Sequence, residues 1–169
     1  RETDPLGGVD PYSASKAGAE IVTSSYGRSF FAKDGTTGVA SARAGNVVGG
    51  GDGSEFRLVP DCIRSLRAGT PIQLRRPQAT RPWQFVLEPL AGYLLLGMRL
   101  AEGGKAFQGA WNFGPPADNT KTVGLGARTV VDAWGGGSIE QLPVAPFHES
   151  TLLQLDSSKA HRHLGWRSL

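Results

Sequence analysis

Residues 10–20 read Asp10-Pro11-Tyr12-Ser13-Ala14-Ser15-Lys16-Ala17-Gly18-Ala19-Glu20, and the rest of the chain is read outward from them. Proline suits the first turn of a helix, where its missing N–H would have no partner anyway. Ala14, Ala17 and Ile21 then recur at helical spacing, which predicts a helix over residues 12–31, ended by Asp34-Gly35. Tyr12 and Lys16 stand four residues apart on it, so both side chains fall on one face within mutual reach. A phenol is a poor base at neutral pH, but a neighbouring ammonium favours its anion. A tyrosine so placed can take a proton from a sugar hydroxyl while a nicotinamide receives the hydride, and the lysine donors can hold ribose hydroxyls. The competing reading is a half-exposed tyrosine beside a solvated lysine, and Tyr-x-x-x-Lys alone does not separate the two.

Downstream, strands alternate with helices. Residues 39–48 read as a strand running into Gly49-Gly50-Gly51, and Val59, Cys62, Ile63 and Leu66 mark a helix that stops near Gly69. Short strands are predicted at 72–74 and 83–86, flanking an arginine-rich loop. Leu90, Tyr93, Leu94, Gly97, Met98 and Ala101 trace a longer helix whose apolar stripe is expected in the core, capped by Gly103-Gly104. A strand at 110–113 and a helix at 122–134 follow, the helix with Ala127, Val130, Val131 and Trp134 on one face. A strand at 139–142 comes next, and a terminal helix capped by Asp156 turns Ala160 and Leu164 inward. This order predicts an α/β layer architecture with crossover connections. No strand, Gly-x-Gly-x-x-Gly turn and helix occur in that succession, so the glycine-rich half of a doubly wound nucleotide fold is not among these residues. Gly49 to Gly53 reads instead as a loop on the substrate side.

Composition bounds the function. The 169 residues are 39% hydrophobic, 20% charged and 8% aromatic, as in soluble globular proteins. The 24 glycines are about twice the usual share and imply many tight turns. The chain begins with Arg1 and its one methionine is Met98, so it is expected to be part of a longer translation product. Residues 91–98, the densest apolar stretch, are broken by Gly92 and Gly97 and fall short of the roughly 20 needed to span a bilayer. Neither a membrane segment nor a signal peptide is expected. The lone Cys62 excludes an intramolecular disulfide and fits a reducing cytoplasm. A net charge of +3 without a basic stripe argues against nucleic acid as partner. The group Arg75, Arg76 and Arg81 suits one small phosphorylated ligand better. His148, His161 and His163 lack partners at metal-ligand spacing, so no metal is expected and solvated histidines are. Trp83, Trp111, Trp134 and Trp166 are expected in the core, with a nucleobase contact as the alternative for Trp83.

Several further stretches follow the Tyr-Lys helix in order: Arg43-Ala44-Gly45-Asn46-Val47-Val48-Gly49, Arg81-Pro82-Trp83-Gln84-Phe85-Val86, Asn112-Phe113-Gly114-Pro115, Asp156-Ser157-Ser158-Lys159 and Leu164-Gly165-Trp166. Together they resemble the extended short-chain dehydrogenase/reductase superfamily over essentially the whole chain. The narrower stretches Arg1-Glu2-Thr3-Asp4-Pro5-Leu6-Gly7-Gly8, Gly49-Gly50-Gly51-Asp52, Arg57-Leu58-Val59-Pro60-Asp61 and Gln78-Ala79-Thr80-Arg81-Pro82-Trp83-Gln84 resemble its subgroup of 4,6-dehydratases acting on CDP-glucose. Gly53, Arg76 and Phe85 depart from that pattern and bear on the shape of the sugar nucleotide pocket.

The resemblance implies the C-terminal part of a Rossmann-like NAD-binding fold joined to a smaller α/β substrate-binding subdomain. Residues 1–50 would complete the dinucleotide fold, and 51–169 would be mainly the substrate subdomain, with some segments returning to the core fold. It implies NAD as cofactor, CDP-glucose or a related sugar nucleotide as substrate, and a homo-oligomer paired through the helix that bears Tyr12. Tyr12 would deprotonate the C4 hydroxyl as hydride passes to NAD, and Tyr12 and Lys16 would also bind the cofactor. Water would then leave across C5 and C6, and hydride would return to C6. The family takes its elimination acid and base from a motif upstream of these residues, so the chain alone is expected to be inactive. Asn46, Arg57, Leu58 and Arg81 match substrate-binding positions. A turn asparagine and a surface ion pair are the alternatives for Asn46 and Arg81. Glu88 is expected to be structural. Other sugar nucleotide epimerases or dehydratases, or a non-catalytic sugar nucleotide-binding fragment, are the competing assignments.

Overall fold

The computed structural model describes residues 1–31, 33, 37–116, 119–143 and 153–168. The predicted helix stop at Asp34-Gly35 and the histidine at 148 lie outside them. In chain order the elements are α1 (Pro11–Tyr26), β1 (Ala40–Ala44), β2 (Asn46–Val48), α2 (Leu58–Ala68), β3 (Ile72–Leu74), β4 (Thr80–Arg81), β5 (Trp83–Phe85) and α3 (Leu87–Gly103). They continue with β6 (Gly109–Phe113), β7 (Lys121–Thr122), α4 (Val123–Trp134), β8 (Ile139–Gln141) and α5 (Ser158–Leu164). The predicted α/β alternation is present, and β4 with β7 adds a short antiparallel pair that periodicity did not announce.

Asp10 starts α1. Its carboxylate accepts from Ser13 Oγ at 2.5 Å and from the Ser13 N–H at 3.0 Å, and these bonds, the side-chain one first, hold it below the usual carboxylate range. Helical conformation reaches Phe31 as predicted, but Gly27–Phe31 is a π-turn rather than α-helix. Gly27 lies against Val39, so the exit of α1 is beside the entry of β1.

The strand predicted at 39–48 is broken at Gly45, and the break decides the topology. β1 pairs in parallel with β6, whereas β2 pairs in parallel with β5. One run of chain therefore serves two sheets, turning between them where Pro82 crosses. A Cβ on Gly45 would stand 2.7 Å from Pro82 Cγ and 2.9 Å from its carbonyl oxygen, so only glycine admits the crossing.

Two apolar clusters hold these layers. Leu96, Trp111, Phe113, Ala160, Leu164 and Trp166 join α3, β6 and α5, while Cys62, Ile72, Leu74, Ala127 and Val131 join α2, β3 and α4. α3 meets the first cluster through a different face from the predicted one. Leu94 and Met98 are 72% and 59% exposed, and Leu90 is exposed with them, whereas Pro89, Gly92 and Leu96 are buried. Gly92 explains the choice: a Cβ there would stand 2.4 Å from Phe113, so Phe113 and Trp166 pack onto bare helix backbone. Gly103-Gly104 does not cap α3, which tightens into a 3₁₀ turn at Gly104–Phe107.

Trp111 and Trp166 are buried as expected, but Trp134, in the last turn of α4, is half-exposed. Trp166 donates to the Glu88 carbonyl at 3.0 Å, and the Glu88 side chain bonds Ser168, which makes Glu88 structural. Asp156 lies one residue before the α5 cap, Ser157, and its carboxylate accepts from the Ser158 N–H at 2.8 Å. Lys159 of α5 donates to the Ala110 carbonyl at 2.7 Å and lies 4.0 Å from the Trp111 ring centroid, and burial pushes its ammonium pKa down. Among the described residues no helix is long and apolar enough to cross a membrane.

Gly45→Ala is expected to cost about 1–3 kcal/mol by overpacking against Pro82, read as a lower urea midpoint at unchanged slope; an unchanged midpoint would contradict the crossing described here. Burial pushes the Cys62 thiol up to about 11. A thiol reagent at pH 8 should therefore label it only in denaturant, and prompt labelling of the native chain would contradict its place in the second cluster.

Candidate active-site edge

The direction of α1 against β1 places the catalytic candidates. Gly27 of α1 touches Val39, and further up the helix Glu20 meets β1. Its carboxylate accepts from Ser41 Oγ at 2.9 Å, from Arg43 Nη2 at 2.8 Å and from Arg43 Nε. Helix and strand therefore run antiparallel. From Glu20 back to Tyr12 is eight residues, about 12 Å of helix. Tyr12 therefore lies toward the carboxyl end of β1, the end at which open α/β sheets bind ligands.

Tyr12 and Lys16 occupy one exposed face, with Lys16 Nζ 5.7 Å from the Tyr12 ring centroid. Tyr12 is 62% exposed, so its hydroxyl is open to a ligand. Asn46, half-buried, lies opposite Trp83, and its N–H donates to the Pro82 carbonyl at 3.2 Å. Arg81 precedes that proline and is half-buried, with Nη1 donating to the Thr80 carbonyl at 2.9 Å. The structure therefore sets the Asn46 backbone against Pro82, the residue after Arg81. Trp83 lies beside them, half-buried rather than in the core, its ring N–H donating to the Lys121 carbonyl at 3.2 Å.

The loop after β2 is internally braced. The Asp52 carboxylate accepts from the Ser54 N–H at 2.9 Å, which holds it below its ordinary range. Arg64 donates to the Gly53 and Ser54 carbonyls at 3.2 and 3.0 Å and pairs with Asp61. Arg57 is the exposed cap residue of α2 and makes no side-chain capping bond. Leu58 is half-buried and packs on the second cluster, so its side chain is committed inward. Arg75 is exposed and Arg76 half-buried in the turn before β4.

Three features escaped the sequence reading. Phe56 is 83% exposed with φ +60°, an uncommon conformation for a side-chain-bearing residue. The Glu20–Arg43 pair joins residues 23 apart, and only the repeat Tyr12, Lys16, Glu20 hinted that Glu20 has a partner beyond the helix. Lys159 is the third. Among the described residues no three His, Cys, Asp or Glu side chains group as a metal site. A cavity of about 770 Å³ is lined by Arg1, Pro115, Leu155, Asp156, His161 and Trp166 and contains none of the predicted site residues. Asp156 in it is already bonded to Arg1 and Ser158, so the strand edge is the better candidate.

The fold is the Rossmann-like α/β fold of NAD-dependent sugar nucleotide dehydratases and epimerases. It superposes on a dTDP-glucose 4,6-dehydratase of Streptomyces venezuelae solved with NAD, with TM-score 0.81 and 26% identity, covering 99% of this chain and 49% of that one. It also superposes on a UDP-glucose 4-epimerase of Thermus thermophilus in complex with NAD, with TM-score 0.80 and 25% identity, covering 99% and 52%. In sequence the chain is 44% identical over 171 residues to CDP-glucose 4,6-dehydratase of Salmonella typhimurium, covering 98% of this chain and 48% of that protein. It therefore spans about half the length of the relatives it matches. No family model matches it.

Arg43, first by hydrogen bonding, holds the Glu20 carboxyl below its ordinary value of 4.5. The stabilisation is thus complete above pH 4.5 and lost as pH falls through the lower folded value. E20Q should cost about 1 kcal/mol at pH 6, with the difference from wild type closing on acidification; a difference independent of pH between 6 and 3 would contradict the pairing.

Proposed function

We propose that these residues form the substrate side of an NAD-dependent dehydratase that converts CDP-glucose to CDP-4-keto-6-deoxyglucose. Residues 1–50 would complete the dinucleotide-binding fold and 51–169 mainly the substrate subdomain. The observation that carries the reading is the exposed face shared by Tyr12 and Lys16, with the Asn46 backbone bonded to the Pro82 that follows Arg81. The identity to CDP-glucose 4,6-dehydratase supplies the substrate class.

The exposed pair fits a nicotinamide ribose, because the Lys16 ammonium offers three donors on the face that presents the Tyr12 hydroxyl. NAD, when bound, supplies a hydride acceptor that also returns the hydride. Tyr12 takes the proton from the C4 hydroxyl, and Lys16 orients the ribose with its donors. Arg81 grips the diphosphate, for which its planar fork is suited, with Arg57 at the start of α2 adding a second cation. Asn46 offers an amide to a sugar or phosphate oxygen, and Leu58 sets the start of α2 from the core side. No described residue is assigned the loss of water from C5 and C6.

A 4-epimerase is the second reading, supported by the equal superposition on the Thermus thermophilus enzyme. It would use Tyr12 and Lys16 in the same way without eliminating water. We also place the protein in the cytoplasm, for its one unpaired thiol, and as a homo-oligomer. Val22 and Tyr26 of α1 and Phe30 of the π-turn after it lie exposed, the two rings 5.1 Å apart, and offer an apolar face for a second copy.

The test is formation of 4-keto sugar from CDP-glucose and NAD by the full-length protein that carries these residues, with UDP-glucose as control. Y12F should lower kcat about 100- to 10,000-fold, and R81K should raise KM more than it lowers kcat. Turnover of UDP-glucose to UDP-galactose without keto sugar would overturn the dehydratase reading, and full activity of Y12F would overturn both.

A further inference from the structure

α1 carries Tyr12 yet has no buried side chain. Ile21, Val22 and Tyr26 face outward, while Ala17, Gly18, Glu20 and Thr23 are partly buried. What meets β1 from its middle is one carboxylate. Glu20 takes three donors, both Arg43 nitrogens and the Ser41 hydroxyl, and the pair is only 18% and 21% exposed. A guanidinium fork on a carboxylate fixes orientation as well as distance. Ser41 prevents the carboxylate from turning about its own axis. Glu20 and Arg43 line a cavity of about 650 Å³ between the helix and the sheet, so no apolar packing replaces the tie there.

We infer that the Glu20–Arg43–Ser41 cluster is a positioning device that sets the height and rotation of Tyr12 for the proton transfer. The inference rests on the dehydratase reading of Tyr12. Its lever is physical: Glu20 lies about 12 Å along the axis from Tyr12, so a tilt of about 5° at the tie moves the tyrosine by about 1 Å, a shift that can cost about 100-fold in rate. Glu2, whose charge also favours the Arg43 cation, accepts through Oε1 from the Asn112 N–H of β6 at 3.1 Å. The tie itself refers the helix to β1.

In the full-length protein, E20Q and R43K should each lower kcat about 10- to 100-fold while KM for CDP-glucose changes less than about threefold. R43K keeps the charge but loses the fork, so it separates geometry from electrostatics. E20Q/R43K should be little worse than the poorer single variant, since both remove one interaction. Hydrogen exchange of the α1 amides 18–25 should quicken about tenfold in E20Q while those of Trp111 and Phe113 stay protected. Unchanged exchange would overturn the tie. Quickened exchange with unchanged kcat would overturn the positioning role and leave a merely structural one. A wild-type protein without dehydratase activity would fail the functional reading alone, and the exchange result would still decide whether Glu20 holds the helix.

Discussion

A single carboxylate, Glu20, joins a helix with no fully buried residue to the strand beside it. Helices in globular proteins are normally placed by an apolar stripe pressed on a core. In α1 that function falls to charged and polar groups, while the apolar residues of the helix point elsewhere. The consequence is directional. An apolar stripe tolerates sliding and rolling, whereas three donors on two oxygens allow one register. The level of Tyr12 along β1 follows from that register.

The second determinant is the absence of a side chain at Gly45. Because Pro82 fills the space a Cβ would need, the chain leaves the β1–β6 pair and enters the β2–β5 pair without a loop. Arg81 and Asn46 are brought side by side by the same crossing. A continuous strand would have kept Asn46 in the first sheet, away from the arginine. The braced loop 52–54 and the start of α2 then continue from this point, so that Arg57 extends the same edge. The two apolar clusters lie behind the edge and hold the sheets without contributing to it.

Much of this was legible in the residues. The spacing of Tyr12 and Lys16, the proline before them and the alternation of strands with helices all follow from local rules, and local rules governed there. Ordered motifs extended the reading to Asn46 and Arg81 because those positions lie in short strands next to glycine or proline. Illegible were the facts that depend on contact between distant segments. The apolar spacing of α3 names a stripe at Leu90, Leu94 and Met98, but the buried face was chosen by Gly92, whose bare backbone admits Phe113 and Trp166. Trp134 was misplaced for a related reason: a residue at a helix end is read from its type, while its exposure is settled by what reaches that end. Glu20 and Arg43 each look like an ordinary surface charge until the fold sets them opposite one another.

The central claim is that Tyr12, Lys16, Asn46, Arg57 and Arg81 hold a sugar nucleotide, rather than the cavity lined by Gly114, Ser157 and His161. Amide chemical shifts on titration with CDP-glucose test it most directly, since they report place without requiring turnover. The account predicts the largest changes at residues 12–16, 45–58 and 80–84. Changes confined to Gly114, Ser157, His161 and Arg167, which line the larger cavity, would contradict it.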